Sequence, residues 1–529
     1  MSTERKDVTL SAKSSTIARN TVVLYLRMFF LMVISLFTAR IVFNALGVEN
    51  KGIYGAVASF VSMMAVVTSS LSSAISRFIT VGIGKGDKED LKRIFATANG
   101  LLILTAFILL VIAEPLGMWY ISNKMNLPDG RAGAACWVFQ FSLLSALVSL
   151  VSIPYNATIF AHEKMGIYGI IGVIEGVCKL LVAFLITISP FDTLIFYSLL
   201  LCLISLMVRF MYTSYCRRHF EESRAGYSLD RKYLGQLAGF AGWNGLSSGV
   251  LILNTQGLTL LLNYFFGVVF NAMRDIANNV EGMVKPFVMN VLTSIVPQIT
   301  KSYAAGDKDY SFNLACKGCK YGFLIIFVLA VPFWFDAEFI LDFWLGGKVL
   351  VPDGSGLFTR LMLVCLLIDL MVTPLSNVVL ASGRIRKFYL YTSAVNALVF
   401  PLTWIAYRIG APAYSCYLVF IVIYFVCDII RLVLVRNLLG FPMKMFYKEV
   451  LLKVIPVVVL TLVPVWLVWR MTPEGWARLI AVLFIGTGVA ALTTYFFALT
   501  EGERGFVDTK FRQAWRLLRK SEKREETLR

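Results

Sequence analysis

Ile79-Thr80-Val81-Gly82-Ile83-Gly84-Lys85-Gly86-Asp87-Lys88 returns, altered at its centre, as Ile299-Thr300-Lys301-Ser302-Tyr303-Ala304-Ala305-Gly306-Asp307-Lys308. The second copy lies 220 positions after the first (308 against 88). Leu46-Gly47-Val48 returns at the same offset as Phe266-Gly267-Val268, as do Pro154 as Pro374 and Ala161 as Ala381. A single short match is chance, but several in one register point to two copies of one unit. Because the copies lie in strongly apolar sequence, they predict two similar lobes in one membrane, an arrangement that commonly holds substrate between the lobes and rocks around it.

Working outward, 58% of the 529 residues are hydrophobic and the mean hydropathy is +0.73. The apolar residues come in blocks near the ~20 residues that cross a hydrocarbon core. The blocks lack the period-two alternation of a membrane β-barrel. The expected fold class is therefore an all-α polytopic membrane protein with about fourteen spans. Two lobes of about six spans each occupy 20–225 and 226–437, and two extra spans occupy 438–502. A polar tail, 1–19, precedes them, and the apolar run after it is too long for a cleaved leader. A basic tail, 503–529, follows, with Phe511, Trp515 and Leu518 spaced as on an interfacial or solvated helix. Pro154, Pro286, Pro297, Pro374 and Pro456 are expected to break or bend their spans.

The formal net charge is +18. In a soluble chain that would suggest nucleic acid. Here the cations concentrate in alternate loops, for example Lys85, Lys88, Lys92 and Arg93, then Arg217, Arg218 and Arg224. The opposite loops carry few, among them Lys51 and Lys124. This is the positive-inside pattern: it excludes nucleic acid as the partner and predicts both termini in the cytoplasm. The external loops, about 115–131 and 339–355, are too short to carry a catalytic domain. No phosphate-binding loop occurs, and the two histidines, His162 and His219, form no metal motif. Cys316-Lys317-Gly318-Cys319 has no second pair, so no metal or other cofactor is expected.

Charges inside spans cost about 2.5–3.5 kcal/mol each and call for a reason. Arg274, Asn278, Glu281 and Lys285 recur at helical spacing within a sector of roughly 60°. That stripe is expected to face a wet interior, with Glu281 pairing Lys285, Asp275 restraining Arg274 from the side, and Arg274 left for an anion; purely structural pairing is the alternative. The serine-rich run from Ser59 to Thr80 ends near Arg77, which suits either a pathway wall or close helix packing. Arg27 shares a face with Asn20 and Thr38 and is a cavity candidate. Glu175 and Lys179 form an i, i+4 pair, a pattern more often structural. Asp369 with Arg360, and Asp428 with Arg431, are further interior groups, and Glu281, Asp369, Asp428 and Glu175 are the candidates to carry a coupling ion.

Leu46-Gly47-Val48-Glu49-Asn50-Lys51-Gly52-Ile53-Tyr54, the run Ser69 to Thr80, and Asn271 to Asp307 with its Pro297-Gln298-Ile299-Thr300-Lys301-Ser302-Tyr303 resemble the Wzx-type polysaccharide-unit flippases of the MATE/MOP superfamily. The resemblance covers roughly residues 15–440. It implies a fourteen-helix fold of two lobes around a cavity in the bacterial inner membrane. It also implies export of undecaprenyl-pyrophosphate-linked oligosaccharide to the periplasmic leaflet for O-antigen or capsule, with polymerase or assembly proteins as partners. Arg77 and Arg274 are the positions that carry over as pyrophosphate ligands; Glu281 and Lys285 depart from the small, polar pattern it implies there. A cation-coupled multidrug antiporter of the same superfamily, with an acidic cavity, and a membrane glycan polymerase are the other readings.

Overall fold

The computed structural model describes the backbone of residues 2–85, 87–162, 164–346, 351–505 and 508–509. Side chains are described from Phe30 on, except at 73, 81, 84–85, 165, 238, 240–248, 251, 290–291, 293–294, 297, 301, 304 and 385. Among the described residues there is no strand. The helices, in order, are α1 (Ser2–Ser62), α2 (Ala65–Lys85), α3 (Lys88–Asn123), α4 (Ala132–Val151), α5 (Ile153–Ala161), α6 (Met165–Leu185), α7 (Thr193–His219), α8 (Arg231–Ile252), α9 (Leu258–Phe266) and α10 (Val268–Ala304). They continue with α11 (Lys308–Leu345), α12 (Ser355–Val372), α13 (Ser376–Ser382), α14 (Ile385–Ala397), α15 (Val399–Arg408), α16 (Ser415–Leu439), α17 (Met443–Phe446), α18 (Leu452–Met471) and α19 (Trp476–Thr493).

Eleven helical segments among the described residues are long and apolar enough to cross a membrane. The spanning helices leave large apolar side chains bare: Phe107, Phe210 and Phe425 are each more than half exposed. Such a surface suits lipid as the surrounding solvent. The protein is an all-α, multi-pass membrane protein.

The repeat seen in the sequence is also a repeat of backbone conformation. Inside α1 the chain breaks at Gly47 with φ 75° and ψ 174°. Between α9 and α10 it breaks at Gly267 with φ 88° and ψ −174°. A side chain at either position would be strained, because this region of φ/ψ is essentially reserved for glycine. Asp87 caps α3 by accepting from the Glu89 and Asp90 amides, and Asp307 accepts from the Tyr310 amide at the start of α11. Each aspartate satisfies backbone donors that a helix start leaves open. Pro154 follows the break between α4 and α5, and Pro374 sits in the 3-10 turn between α12 and α13. At the other expected positions the helix does not end: α10 continues through Pro286 and Pro297, and α18 through Pro456. The two loops expected to be external are also shorter than expected, since α3 continues to Asn123 and α11 to Leu345.

The chain forms two compact units, and their limits are not those of the repeat. The first comprises 1–279, 341–358 and 393–423. It holds two apolar cores, one around Ile75, Phe95 and Leu102 and one around Val42, Ile53 and Phe139. The second comprises 280–340, 359–392 and 424–529, with a core around Phe312, Leu375 and Phe446. It also contains a buried polar clasp where the last spanning helix ends. Lys320 of α11, 1% exposed, donates to the Ala498 carbonyl at 2.7 Å. Glu503 accepts from the Thr500 amide at 2.9 Å and pairs with Lys317 at 3.0 Å and Lys320 at 3.5 Å. Burial raises the Glu503 carboxyl, but the Thr500 amide, the Lys317 and Tyr321 hydrogen bonds and the Lys320 charge outweigh it and hold it well below the usual glutamate value. The remainder of the basic tail, from 510, lies outside the described residues.

Candidate functional site

In the first unit the chain kinks at Gly47 and resumes as helix, so that Lys51 sits one helical turn into the next segment rather than in a loop. Gly52 then meets α10 at backbone distance: a Cβ at Gly52 would lie 2.0 Å from the Val268 carbonyl oxygen. Only a residue without a side chain permits that crossing. The close approach places the next α10 turns beside Lys51, and Lys51 Nζ lies 2.9 Å from Asp275 Oδ2. The lysine side chain is 15% exposed and its ammonium lies 5.7 Å from the centre of the Tyr54 ring. Tyr54 in turn meets Tyr197 edge to face, with ring centres 5.1 Å apart.

Lys51 and Tyr197 form part of the wall of a cavity of about 370 Å³. The rest of the polar wall is Ser35 and Thr38 of α1, Glu175 and Lys179 of α6, and Asn279 of α10. Small residues leave the room: Gly172 and Gly176 of α6 line it, and a Cβ at Gly176 would lie 2.5 Å from Leu31 Cδ2. Glu175 and Lys179 pair at 2.6 Å, as their spacing implied, and both line the cavity. The site therefore presents two lysines, each held by a carboxylate, with hydroxyl and amide groups between them. A volume of this size accommodates a small ligand or one portion of a larger one.

The α10 stripe is rotated by one residue from the sequence expectation. Asn279 lines this site and Asp275 pairs with its Lys51, whereas Arg274 and Asn278 are not on its wall. Adjacent helical residues point about 100° apart, so a shift of one position changes the face. Arg274 is 2% exposed. Its Nε donates to Thr259 Oγ1 at 3.2 Å, its Nη2 to the Thr255 carbonyl at 3.1 Å, and its guanidinium lies 5.7 Å from the Tyr417 ring centre. In this structure Arg274 joins α10 to α9 and α16, and Asp275 pairs with Lys51 instead of restraining it. Arg77 is an exposed residue of α2. Arg27 lies outside the described side chains, but Thr38, on the face assigned to it, lines the cavity. Lys51 was missed because, without the Gly47 torsion, it reads as a loop cation.

In the second unit Glu281 and Lys285 pair at 2.9 Å. Arg431 Nη1 lies 3.1 Å from Asp369 Oδ1, 3.0 Å from Asp428 Oδ1 and 3.2 Å from Thr373 Oγ1. One guanidinium thus serves two carboxylates that are largely shielded from solvent. The spacing of the separate spans did not reveal this triad. Arg360, expected beside Asp369, instead pairs with Glu338 and donates to the Trp334 carbonyl at 2.9 Å. The thiols of Cys316 and Cys319 are buried.

No protein-family model and no curated protein matches the sequence. Solved structures do match. The lipid II flippase MurJ in an inward closed conformation superposes with a TM-score of 0.68 at 14% identity, over 90% of this chain and 98% of that one. An inward-facing multidrug-resistance MATE transporter of the MOP superfamily gives 0.61 at 13% identity, over 79% and 98%. A MOP-superfamily transporter from Pyrococcus furiosus, described as having a binding pocket of reverse polarity, gives 0.57 at 12%, over 81% and 96%. The chain has the fold of these transporters and flippases.

Proposed function

We propose that the protein is a flippase that moves a polyprenyl-pyrophosphate-linked oligosaccharide across the bacterial inner membrane by alternating access. The observation that carries this reading is the polar cavity of the first unit, set among membrane helices and lined by Lys51, Lys179 and hydroxyl groups. A lysine ammonium makes charge-assisted bonds to phosphate oxygens, and hydroxyl and amide groups suit sugar hydroxyls. Lys51, held by Asp275, and Lys179 take the anionic headgroup, Glu175, Thr38 and Asn279 orient the sugars, and the prenyl chain stays in lipid. Arg77 and Arg27 serve the entry path on the cytoplasmic side. The lobes are 20–225 and 226–437, both termini are cytoplasmic, and a polymerase of the same surface-glycan pathway receives the product.

The triad of Asp369, Arg431 and Asp428 is the coupling element. Two carboxylates share one guanidinium there, so one of them is available to take up a proton or another cation. Glu175 and Asp275 support a second reading, a cation-coupled exporter of small cationic compounds, because their carboxylates stand at the same site as the lysines.

The deciding experiment uses reconstituted vesicles carrying a fluorescent polyprenyl-pyrophosphate oligosaccharide, with headgroup accessibility measured from outside. Wild-type protein exposes the headgroup and Lys51→Gln does not. Equal exposure by vesicles with and without the protein, together with uptake of a cationic dye, establishes the exporter instead.

A further inference from the structure

A second pocket, of about 420 Å³, lies in the first unit and shares no wall residue with the polar cavity. Its walls are apolar, formed by Met63, Trp119, Leu260, Leu261, Tyr264 and Phe400, and Lys124 stands at it as the one charged residue. Two departures from regular helix make the space. The chain turns at Met63 and Met64 between α1 and α2, and a π-helical turn, Leu253–Gly257, precedes α9. Gly257 lets the Phe400 ring close the back of the pocket, since a Cβ there would lie 2.9 Å from Phe400 Cε2. From Gly257 to Tyr264 the wall runs about 10 Å along the helix axis.

We propose that this pocket binds one anionic phospholipid of the leaflet bordering the 124–131 loop, with an acyl chain in the pocket and the phosphate on Lys124. The pocket lies along spanning helices, where the solvent is hydrocarbon, and an empty apolar cavity forfeits dispersion contacts that a chain restores. The charge fixes the headgroup. Lys124 ends α3 and forms no ion pair among the described residues. Its ammonium is 5.9 Å from the Trp119 ring centre and 5.7 Å from that of Tyr264. Those rings, 54% and 41% exposed, suit a position at the membrane–water boundary, where aromatic side chains gather. A lysine that merely snorkels to water would show no preference for anionic lipid, and this difference makes the site testable.

Native mass spectrometry of the full chain, titrated with phosphatidylglycerol or phosphatidylcholine, reads the site directly. Wild type should retain one phosphatidylglycerol about tenfold more strongly than phosphatidylcholine, a ratio corresponding to about 1.4 kcal/mol. Lys124→Gln should erase that preference, and Lys88→Gln, at the opposite end of α3, should keep it. Phosphatidylglycerol with brominated chains should quench Trp119, read as the difference from Trp119→Phe, and Leu260→Trp should block this by filling the pocket. Equal retention of the two lipids by wild type, or an undiminished preference in Lys124→Gln, overturns the proposal. An absence of Trp119 quenching does so independently of whether Leu260→Trp folds.

Discussion

Lys51 stands four residues after Gly47, Asp275 stands eight residues after Gly267, and the two side chains meet at 2.9 Å. The pair thus joins the segments that follow equivalent breaks in the two repeats. It also sets the charge of the polar cavity, because Lys51 lines the wall while Asp275 restrains it.

Lys51→Gln is expected to lower headgroup export by about ten- to hundredfold, the rate equivalent of losing a charge-assisted bond of about 1.5–3 kcal/mol. Asp275→Asn should have a smaller effect, since the lysine keeps access to the cavity. The reversed pair, Lys51→Asp with Asp275→Lys, should restore folding more than export. Vesicle transport assays beside thermal melting separate these outcomes, and full export by Lys51→Gln would remove the residue from the site.

Gly52→Ala should reduce the folded yield sharply, because its Cβ would overlap the Val268 carbonyl oxygen at 2.0 Å. Gly55→Ala, one helical turn on, meets nothing within 4 Å and should be tolerated or slightly stabilising. Size-exclusion profiles in detergent report both, and similar profiles for the two variants would contradict the crossing.

Arg274→Ala is expected to act on stability before function, at a cost of about 1.5–3 kcal/mol for its hydrogen bonds to Thr259 and Thr255. Arg274→Lys should recover part of this, since it keeps the charge but not the planar fork. A variant with unchanged melting and abolished export would return Arg274 to the substrate site.

Asp369→Asn and Asp428→Asn should each weaken the response of export to an imposed proton or sodium gradient. Arg431→Gln should destabilise the unit, because it leaves two neighbouring carboxylates without their shared cation. The measurement is export with and without each gradient in sealed vesicles. Gradient-independent export by the wild type would rule the triad out as a coupling element.

Glu503 has a folded-state pKa below its unfolded value, so its contribution is complete above about pH 4.3 and fades as the pH falls through the depressed folded value. Glu503→Gln should therefore lower stability at neutral pH and flatten the acid side of the stability profile. Melting curves across that range test the sign: a larger loss at pH 3 than at pH 7 would be wrong for this clasp.

The apolar spans were legible in the chain from local hydropathy, and the repeat from matching residues at one offset. Blocks of apolar residues near twenty long demand helix in lipid, whatever surrounds them. The glycines at 47 and 267 were also visible, as matching letters rather than as torsions. The Glu175–Lys179 and Glu281–Lys285 pairs followed from i, i+4 spacing. Partners far apart in sequence did not: Arg431 lies 62 residues from Asp369, and Lys51 lies 224 from Asp275 (275 against 51).

By itself, then, the sequence determined a two-copy helical membrane protein and the identity of nearly every charge inside its spans. Only the tertiary structure decided which of those charges face open space. Periodicity defines a stripe but not its absolute rotation, and the close approach of Gly52 to Val268 is one of the contacts that fix where α10 lies. In the structure Asn279 lines the site and Asp275 holds its Lys51 while Arg274 bonds within the packing, a difference of about 100° that no spacing of residues along one helix can encode.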